Sequence, residues 1–273
     1  MRGILPSISI KRGGATMQLI GNTISFNGIN SSRYGLYLCS VGGDEERSFG
    51  LSRSIDAEDG GIKSITSNTK TLEIQLVKLG GQFYDPEPLT EEELEEISHW
   101  LFSSEEYKPL MVDNQSKVYY GVFVDGSIWQ NGARHGYLTL QFQLDSGHGY
   151  SVLQNTDVRV NGTRTVTLHS KHTVGKYNEI DIEIKLADNE TDLTIENLTT
   201  GQKMVLQNVP QECRHIRIYN DKLKHIANMD NASQNLRPYF NKEFIHLSYG
   251  KNKIKVTGVG QVRFISQAKI TFI

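Results

Sequence analysis

The sequence predicts a mostly β protein of two domains, the second a jelly-roll sandwich, with a single α-helix in the first. Three observations carry this. Period-2 alternation recurs along the chain, one stretch (PLTEEELEEISHWLF, 88–102) has helical periodicity instead, and the texture changes after LDSGHGYS (144–151). The 273 residues also exceed the roughly 100 to 200 over which one core usually forms.

Successive side chains of a strand point to opposite faces, so alternation marks half-buried strands. Leu72, Ile74 and Leu76 alternate with Thr71, Glu73 and Gln75; Leu138, Leu140, Phe142 and Leu144 alternate with Tyr137, Thr139, Gln141 and Gln143. Between them VYYGVFV (118–124) is apolar on both faces, as in a strand covered on two sides. The helix is the candidate cover. Thr90 and Glu93 have capping-box spacing, Pro88 precedes them, and acidic residues fill the first turn, where the helix dipole favours them. Leu94, Ile97 and Leu101, flanked by Trp100 or Phe102, form its apolar stripe.

Beyond the junction at 144–151 the chain reads as short alternating strands at even spacing. Ile180, Ile182, Ile184 and Leu186 form the clearest set; Leu193 and Ile195, Met204 and Leu206, Ile216 and Ile218, and Ile254 and Val256 repeat it. ADNET, NLTTG, YGKN and TGVG read as the turns between strands, which predicts an antiparallel jelly-roll with no helix.

Composition narrows the functional classes. No apolar run approaches the roughly 18 residues of a membrane span, and MRGILPSISIKRGG is a poor secretory signal, so folding in a cytoplasm is expected. Cys39 and Cys213, in different domains, read as free thiols. The net charge of -2 hides an asymmetry. Residues 1–150 hold 12 Lys+Arg against 19 Asp+Glu, a net of -7, and residues 151–273 hold 17 against 12, a net of +5. Neither half clusters cations among aromatics in the manner of a nucleic-acid-binding surface. Asn161, Asn189, Asn197 and Asn231 match a glycosylation pattern but read as polar turn residues.

No catalytic, cofactor-binding or metal site is predicted. The glutamates at 91–93, 95 and 96 lie on the wet face of the helix. DAEDGG (56–61) resembles a calcium loop until its twelfth position, which is Ser67 where a bidentate Glu is needed. His169 and His172 fall on opposite faces of a strand and have no acidic or Cys neighbours to complete a metal site. Nucleophile-elbow, phosphate-loop, zinc-protease and dinucleotide motifs are absent. A sandwich of this kind can bind glycans, and Tyr239, Phe240 and Tyr249, with Phe244 beside them, are the aromatics available for a sugar platform. A hydrolase lacks its acid/base pair.

Several segments in a fixed order carry a further signal: ISFNGINSSRYGLYL (24–38), LEIQLVK (72–78), PLT before the helix, PLMVDN (109–114), YYGVFVDG (119–126), GYLTLQFQLDSGHGYS (136–151) and LRPYFNKEFIHLSYGKNKIKVTG (236–258). Together they resemble the siphophage distal tail proteins over residues 17–273, with an L-x-x-G-x-N-x-I motif at Leu247, Gly250, Asn252 and Ile254.

The resemblance implies a ring-forming N-terminal β-sandwich domain (17–150) with one helix and a protruding hairpin, and a C-terminal galectin-like β-sandwich (151–273). Residues 1–16 are expected to be an N-terminal extension, either an appendage before a natural start at Met17 or a flexible arm. It also implies a homo-oligomeric ring, typically a hexamer, at the virion tail tip. One face of such a ring meets the tail tube protein and the other the tail-associated lysin or hub protein, while the C-terminal domain carries receptor-binding proteins or fibres. By position, the hairpin that clasps a neighbouring subunit falls at 47–56, with Arg47, Phe49, Leu51, Arg53 and Ile55 at the interface. Asp44, Glu45, Glu46, Glu58 and Asp59 flank it and are expected to line an acidic lumen that DNA passes without binding. The alternative is a glycan-binding adhesin acting through the C-terminal sandwich.

Overall fold

The computed structural model describes residues 7–12, 15–20, 23–39, 52–55, 62–66, 71–80, 85–113, 116–130, 136–220 and 224–271. The chain divides into two units, Met1–Tyr150 with Thr271–Ile273, and Ser151–Ile270. Among the described residues no helix is long and apolar enough to cross a membrane.

The first unit begins with β1 (Ser7–Arg12), β2 (Ala15–Ile20), β3 (Ile24–Phe26), β4 (Ile29–Asn30) and β5 (Leu36–Leu38). It continues with β6 (Ser52–Ile55), β7 (Ile62–Thr66), β8 (Thr71–Gly80), β9 (Asp85–Pro86) and α1 (Glu91–Phe102). Strands β10 (Lys108–Val112), β11 (Lys117–Gln130) and β12 (Gly136–Leu144) complete it, and β13 (Gly149–Ser151) carries the chain into the second unit. The main sheet has the order β4-β3-β10-β11-β12-β8-β5, antiparallel throughout. Residues 7–12 form β1, which pairs with β2 from Ser7↔Ile20 to Arg12↔Ala15.

The alternation expected of β8 and β12 holds: Leu72, Ile74, Leu76, Leu138, Leu140, Phe142 and Leu144 are all buried in one cluster. Against them lies α1, and both halves of its capping box are formed: Glu93 N–H donates to Thr90 Oγ1 at 3.2 Å, and Thr90 N–H to Glu93 Oε2 at 2.9 Å. Ile97, Trp100 and Leu101 are buried in the same core while Leu94 is half-buried, so the inward face sits slightly further round than the predicted stripe. Of the two flanking aromatics, Trp100 goes inside and Phe102 stays 40% exposed, its ring lying over Gly126 of β11.

The helix covers only one face of VYYGVFV. Tyr119 and Phe123 are buried with the helix, whereas Tyr120 and Val122 are half-buried. Val124 is 51% exposed and is the unpaired residue of a bulge, since Phe123 pairs with Phe142 and Asp125 with Gln141.

In the second unit the chain runs through β14 (Gln154–Ser170), β15 (Asn178–Leu186), β16 (Leu193–Asn197) and β17 (Gln202–Leu206). It then forms β18 (His215–Tyr219), β19 (His225–Asn228), β20 (His246–Leu247), β21 (Gly250–Ser266) and β22 (Lys269–Ile270). The sheet order is β17-β16-β21-β15-β18-β19, with β14 on β21 and β20 on β15. Every apolar residue that alternation assigned to strands here is buried in one core. No α-helix occurs among its described residues, only a short 3-10 turn at Arg237–Tyr239.

TGVG (257–260) departs from expectation: it lies inside β21 and is not a turn. Along one edge β21 pairs with β14 over its whole length; along the other it pairs with β16 at 254–258 and with β15 at 260–266. The partner changes at Val259, between two glycines of positive φ, Gly258 at 139° and Gly260 at 154°. A Cβ on Gly260 would lie 2.3 Å from the Lys185 carbonyl oxygen, so the glycine is required by the close approach of β15. Asn161-Gly162 also sits within a strand, opposite this bend, where Gly162 pairs with Gly258.

Candidate assembly surfaces

Of the hairpin expected to clasp a neighbour, Arg47, Phe49 and Leu51 lie outside the described residues, as do the lumen candidates Asp44, Glu45, Glu46, Glu58 and Asp59. Arg53 and Ile55 lie on β6, which pairs with β7 as a two-stranded sheet of its own, from Ser52↔Thr66 to Ile55↔Ile62 with an irregularity at Ser54/Ile55. A two-stranded ribbon has few means of stabilising itself and normally needs a surface to lie on. The second arm, 62–66, was not read from the sequence, although IKSIT carries two β-branched isoleucines at strand positions.

The described acidic surface of the first unit is concentrated on α1, where Glu91, Glu92, Glu95 and Glu96 are exposed. Glu93 instead faces Lys78 at 2.6 Å, and that contact, with the Thr90 amide, holds its carboxyl below the usual range. Exposed apolar residues are also present: Tyr107, Val124 and Ile128 are 54%, 51% and 47% exposed.

In the second unit the L-x-x-G-x-N-x-I motif is a structural knot. Asn252 is fully buried, and its Oδ1 accepts from Ser248 N–H at 2.9 Å while its Nδ2 donates to Ser248 O at 2.8 Å. Gly250 takes the left-handed conformation the turn needs, with φ 91°. Asn197, equally buried, donates to His246 O at 2.8 Å and to Asn252 Oδ1 at 3.4 Å, so the NLTTG and YGKN turns are tied together. Burial removes Asn197 from any glycosylation role.

The aromatics considered for a sugar platform do not form one. Phe240 is only 5% exposed and packs edge-on against Phe244, and Tyr239 is half-buried against the same core. Tyr249 is 69% exposed, beside His172. Their proximity to strands made core packing the stronger demand on these rings.

Among the described residues, three or more His, Cys, Asp or Glu never gather as a metal site. Ser170 Oγ and His172 Nδ1 lie 2.9 Å apart, the contact of a nucleophile with its base, but both residues are buried and His172 Nε2 is committed to Lys176 O at 3.3 Å. Without access for a substrate the pair serves to anchor the chain after β14. Cys39 and Cys213 are both free thiols.

Charged side chains converge at a groove of about 190 Å³ between β14, β15 and β21. Arg263 Nε meets Asp157 at 2.7 Å and its Nη1 approaches Glu183 at 3.8 Å, while His215 Nε2 lies 2.8 Å from Glu183. The hydrogen bond from His215, with smaller contributions from the charges of Arg263 and Lys185, holds the Glu183 carboxyl below the usual range despite partial burial. A depressed carboxylate pKa gives stability that is present above the unfolded value and lost as pH falls through the folded value. The urea midpoint of the second unit is therefore expected to fall as pH drops below about 4.3, the ordinary Glu value. Glu183→Gln should flatten that dependence; an unchanged pH profile in the variant would contradict the assignment.

Comparison with known proteins defines the class. Residues 21–146 match a family model described as a phage tail protein N-terminal domain, and residues 148–266 match its companion, a phage tail C-terminal domain. Among curated proteins none matches the sequence. Among solved structures, the SPP1 Dit (gp 19.1) protein, described as a paradigm of the hub adsorption apparatus in phages infecting Gram-positive bacteria, aligns with TM-score 0.61 and 17% identity, covering 90% of this chain and 98% of its own. Chains of the phage P2 baseplate in its activated conformation, with Ca or with Sr, align more loosely, each with TM-score 0.47 and 12% identity. They cover 98% and 99% of this chain and 98% and 100% of their own. The chain belongs to the phage tail protein family that the two domain models describe. Its fold is that of a distal tail protein, and the resemblance read from the sequence is borne out.

Proposed function

We propose that the protein is a structural component of the siphophage tail tip, forming a ring, six copies in the family pattern, that joins the tail tube to the tail-associated hub protein. Its role is to connect, not to catalyse. The single observation that carries this reading is the order of the two phage tail domains along one chain that has the fold of the SPP1 hub protein over nearly its whole length. The separate β6–β7 ribbon supports it, because it provides a two-stranded element for a neighbouring subunit to cover. In this reading the second unit is the platform for receptor-binding proteins or fibres. The adhesin reading is weaker, since Phe240 and Tyr239 are taken into the core.

Native mass spectrometry of the purified protein is expected to give a closed oligomer of six subunits that does not retard duplex DNA at low salt. A stable monomer at micromolar concentration, or salt-sensitive DNA binding, would overturn the ring and its acidic passage.

A further inference from the structure

The sheet edges of the second unit are not protected alike. The outer edge of β17 is covered by residues 239–241: Gln207 N–H donates to Tyr239 O at 2.9 Å, and Asn241 N–H to Val205 O at 3.1 Å. The edge at β19 is only four residues long. β14 runs for seventeen residues and among the described residues pairs only with β21, in an unbroken register from Gln154↔Ser266 to Ser170↔Gly250. Long edges are normally blunted by prolines, lysines, bulges or a covering segment, and β14 contains no proline, no lysine and no bulge. Its residues 161–165 are all exposed.

Hydrogen bonds fix which groups this edge presents. In an antiparallel pair, alternate residues direct both N–H and C=O toward the partner strand, and the residues between them direct both away. Lys253, opposite Thr167, donates its N–H to Thr199 Oγ1 at 2.9 Å and accepts from Leu198 N–H at 2.9 Å, both on the β16 side. Val259 O, opposite Asn161, is likewise taken by Ala187 N–H at 3.0 Å. Thr167 and Asn161 therefore turn their own N–H and C=O away from β21, and in the unbroken register so do the odd-numbered residues from 155 to 169. One of these outward carbonyls, Arg159 O, is capped from within the strand by Arg164 Nη1 at 3.1 Å. Arg159 and Arg164 are exposed and take part in no ion pair among the described residues.

We propose that β14 takes up an extended segment of a partner protein as an additional strand, with carboxylates of that segment meeting Arg159 and Arg164. This rests on the tail-tip reading, in which the second unit carries other proteins. Charge selects an acidic segment, because the one carboxylate of β14, Asp157, is already paired with Arg263 at 2.7 Å. A second copy of the chain is the weaker occupant. Its only comparably long edge in the second unit is its own β14, which requires a two-fold axis, whereas a ring closes by joining unlike surfaces of successive subunits. In the docked state main-chain hydrogen bonds supply affinity, and the two arginines supply the choice of segment.

The test uses the full-length protein and a fluorescein-labelled nonapeptide alternating threonine with glutamate, read by anisotropy. Saturable binding that weakens with salt is expected, together with slower hydrogen exchange within residues 154–170. The same peptide N-methylated at every amide nitrogen keeps its charges but has no N–H to donate, and it should not bind. Thr165→Pro removes an outward N–H that β21 does not use, so affinity should fall at least about tenfold while the circular dichroism spectrum and melting temperature hold. If the proline disturbs folding, Arg159→Glu/Arg164→Glu gives the comparison, with the same loss expected. Absence of peptide binding to the wild type, equal binding of the N-methylated peptide, undiminished binding by the variants, or pairing of two copies that Thr165→Pro abolishes would each overturn the proposal. Subunit number by native mass spectrometry, measured on the same samples, reports on the ring independently: six subunits without peptide binding reject the strand docking alone.

Discussion

Trp100→Ala is expected to destabilise the first unit by about 3–5 kcal/mol, the usual cost of truncating a large aromatic in a core. Trp100 is buried where α1 meets the sheet, stacked on Tyr34 with ring centroids 5.1 Å apart. Its Nε1 donates to the Phe26 carbonyl at 3.2 Å, so truncation leaves a cavity and also removes a buried hydrogen bond. Trp100→Phe keeps most of the volume and loses only the donor, so it should cost less. Leu94→Ala, at a half-buried position on the same helix, should cost less again. Urea unfolding followed by circular dichroism gives the ranking; a loss below about 1 kcal/mol for Trp100→Ala would show that α1 does not anchor this core.

Gly260→Ala is expected to be the most damaging methyl group that can be added to the second unit. The new Cβ would meet the Lys185 carbonyl oxygen at 2.3 Å and Leu186 Cα at 3.2 Å, both backbone atoms of the paired strand, which cannot swing aside. The φ of 154° adds backbone strain, and together these should cost about 3 kcal/mol or more. Gly162→Ala is the control: its φ of 88° is also unfavourable, but nothing lies within 4 Å of the added methyl, so about 1–2 kcal/mol is expected. Equal losses at the two positions would mean that strain, and not the approach of β15, sets the requirement for glycine.

The contrast between these two sites explains what the sequence made legible. Alternation located the buried faces of β8, β12 and the strands of the second unit because it reports a local property, which side of a strand is dry. The helix was equally legible, since Thr90, Glu93 and the apolar stripe encode its start and its inward face within twelve residues. Strand partners are not encoded locally. TGVG has the composition of a turn, yet its glycines are used for approach by β15 and β16, strands 60 or more residues earlier. One local signal was overlooked: Asn27-Gly28, both at positive φ, make the two-residue turn between β3 and β4.

The long pairing of β14 with β21 also sets an order in time. It joins Gln154 to Ser266 at one end and Ser170 to Gly250 at the other, so the unit's first long strand waits for its last. On a ribosome, β14, β15 and β16 would all emerge before β21, leaving Val158, Ile182 and Ile195 without their partners on that strand through most of synthesis. Closure of so many distant contacts in one step makes folding of this unit late and all-or-none. A nascent chain halted within β21 would therefore not be a slightly shortened sandwich. It would lack the one strand that joins the other three, and would be a substrate for chaperones and proteases.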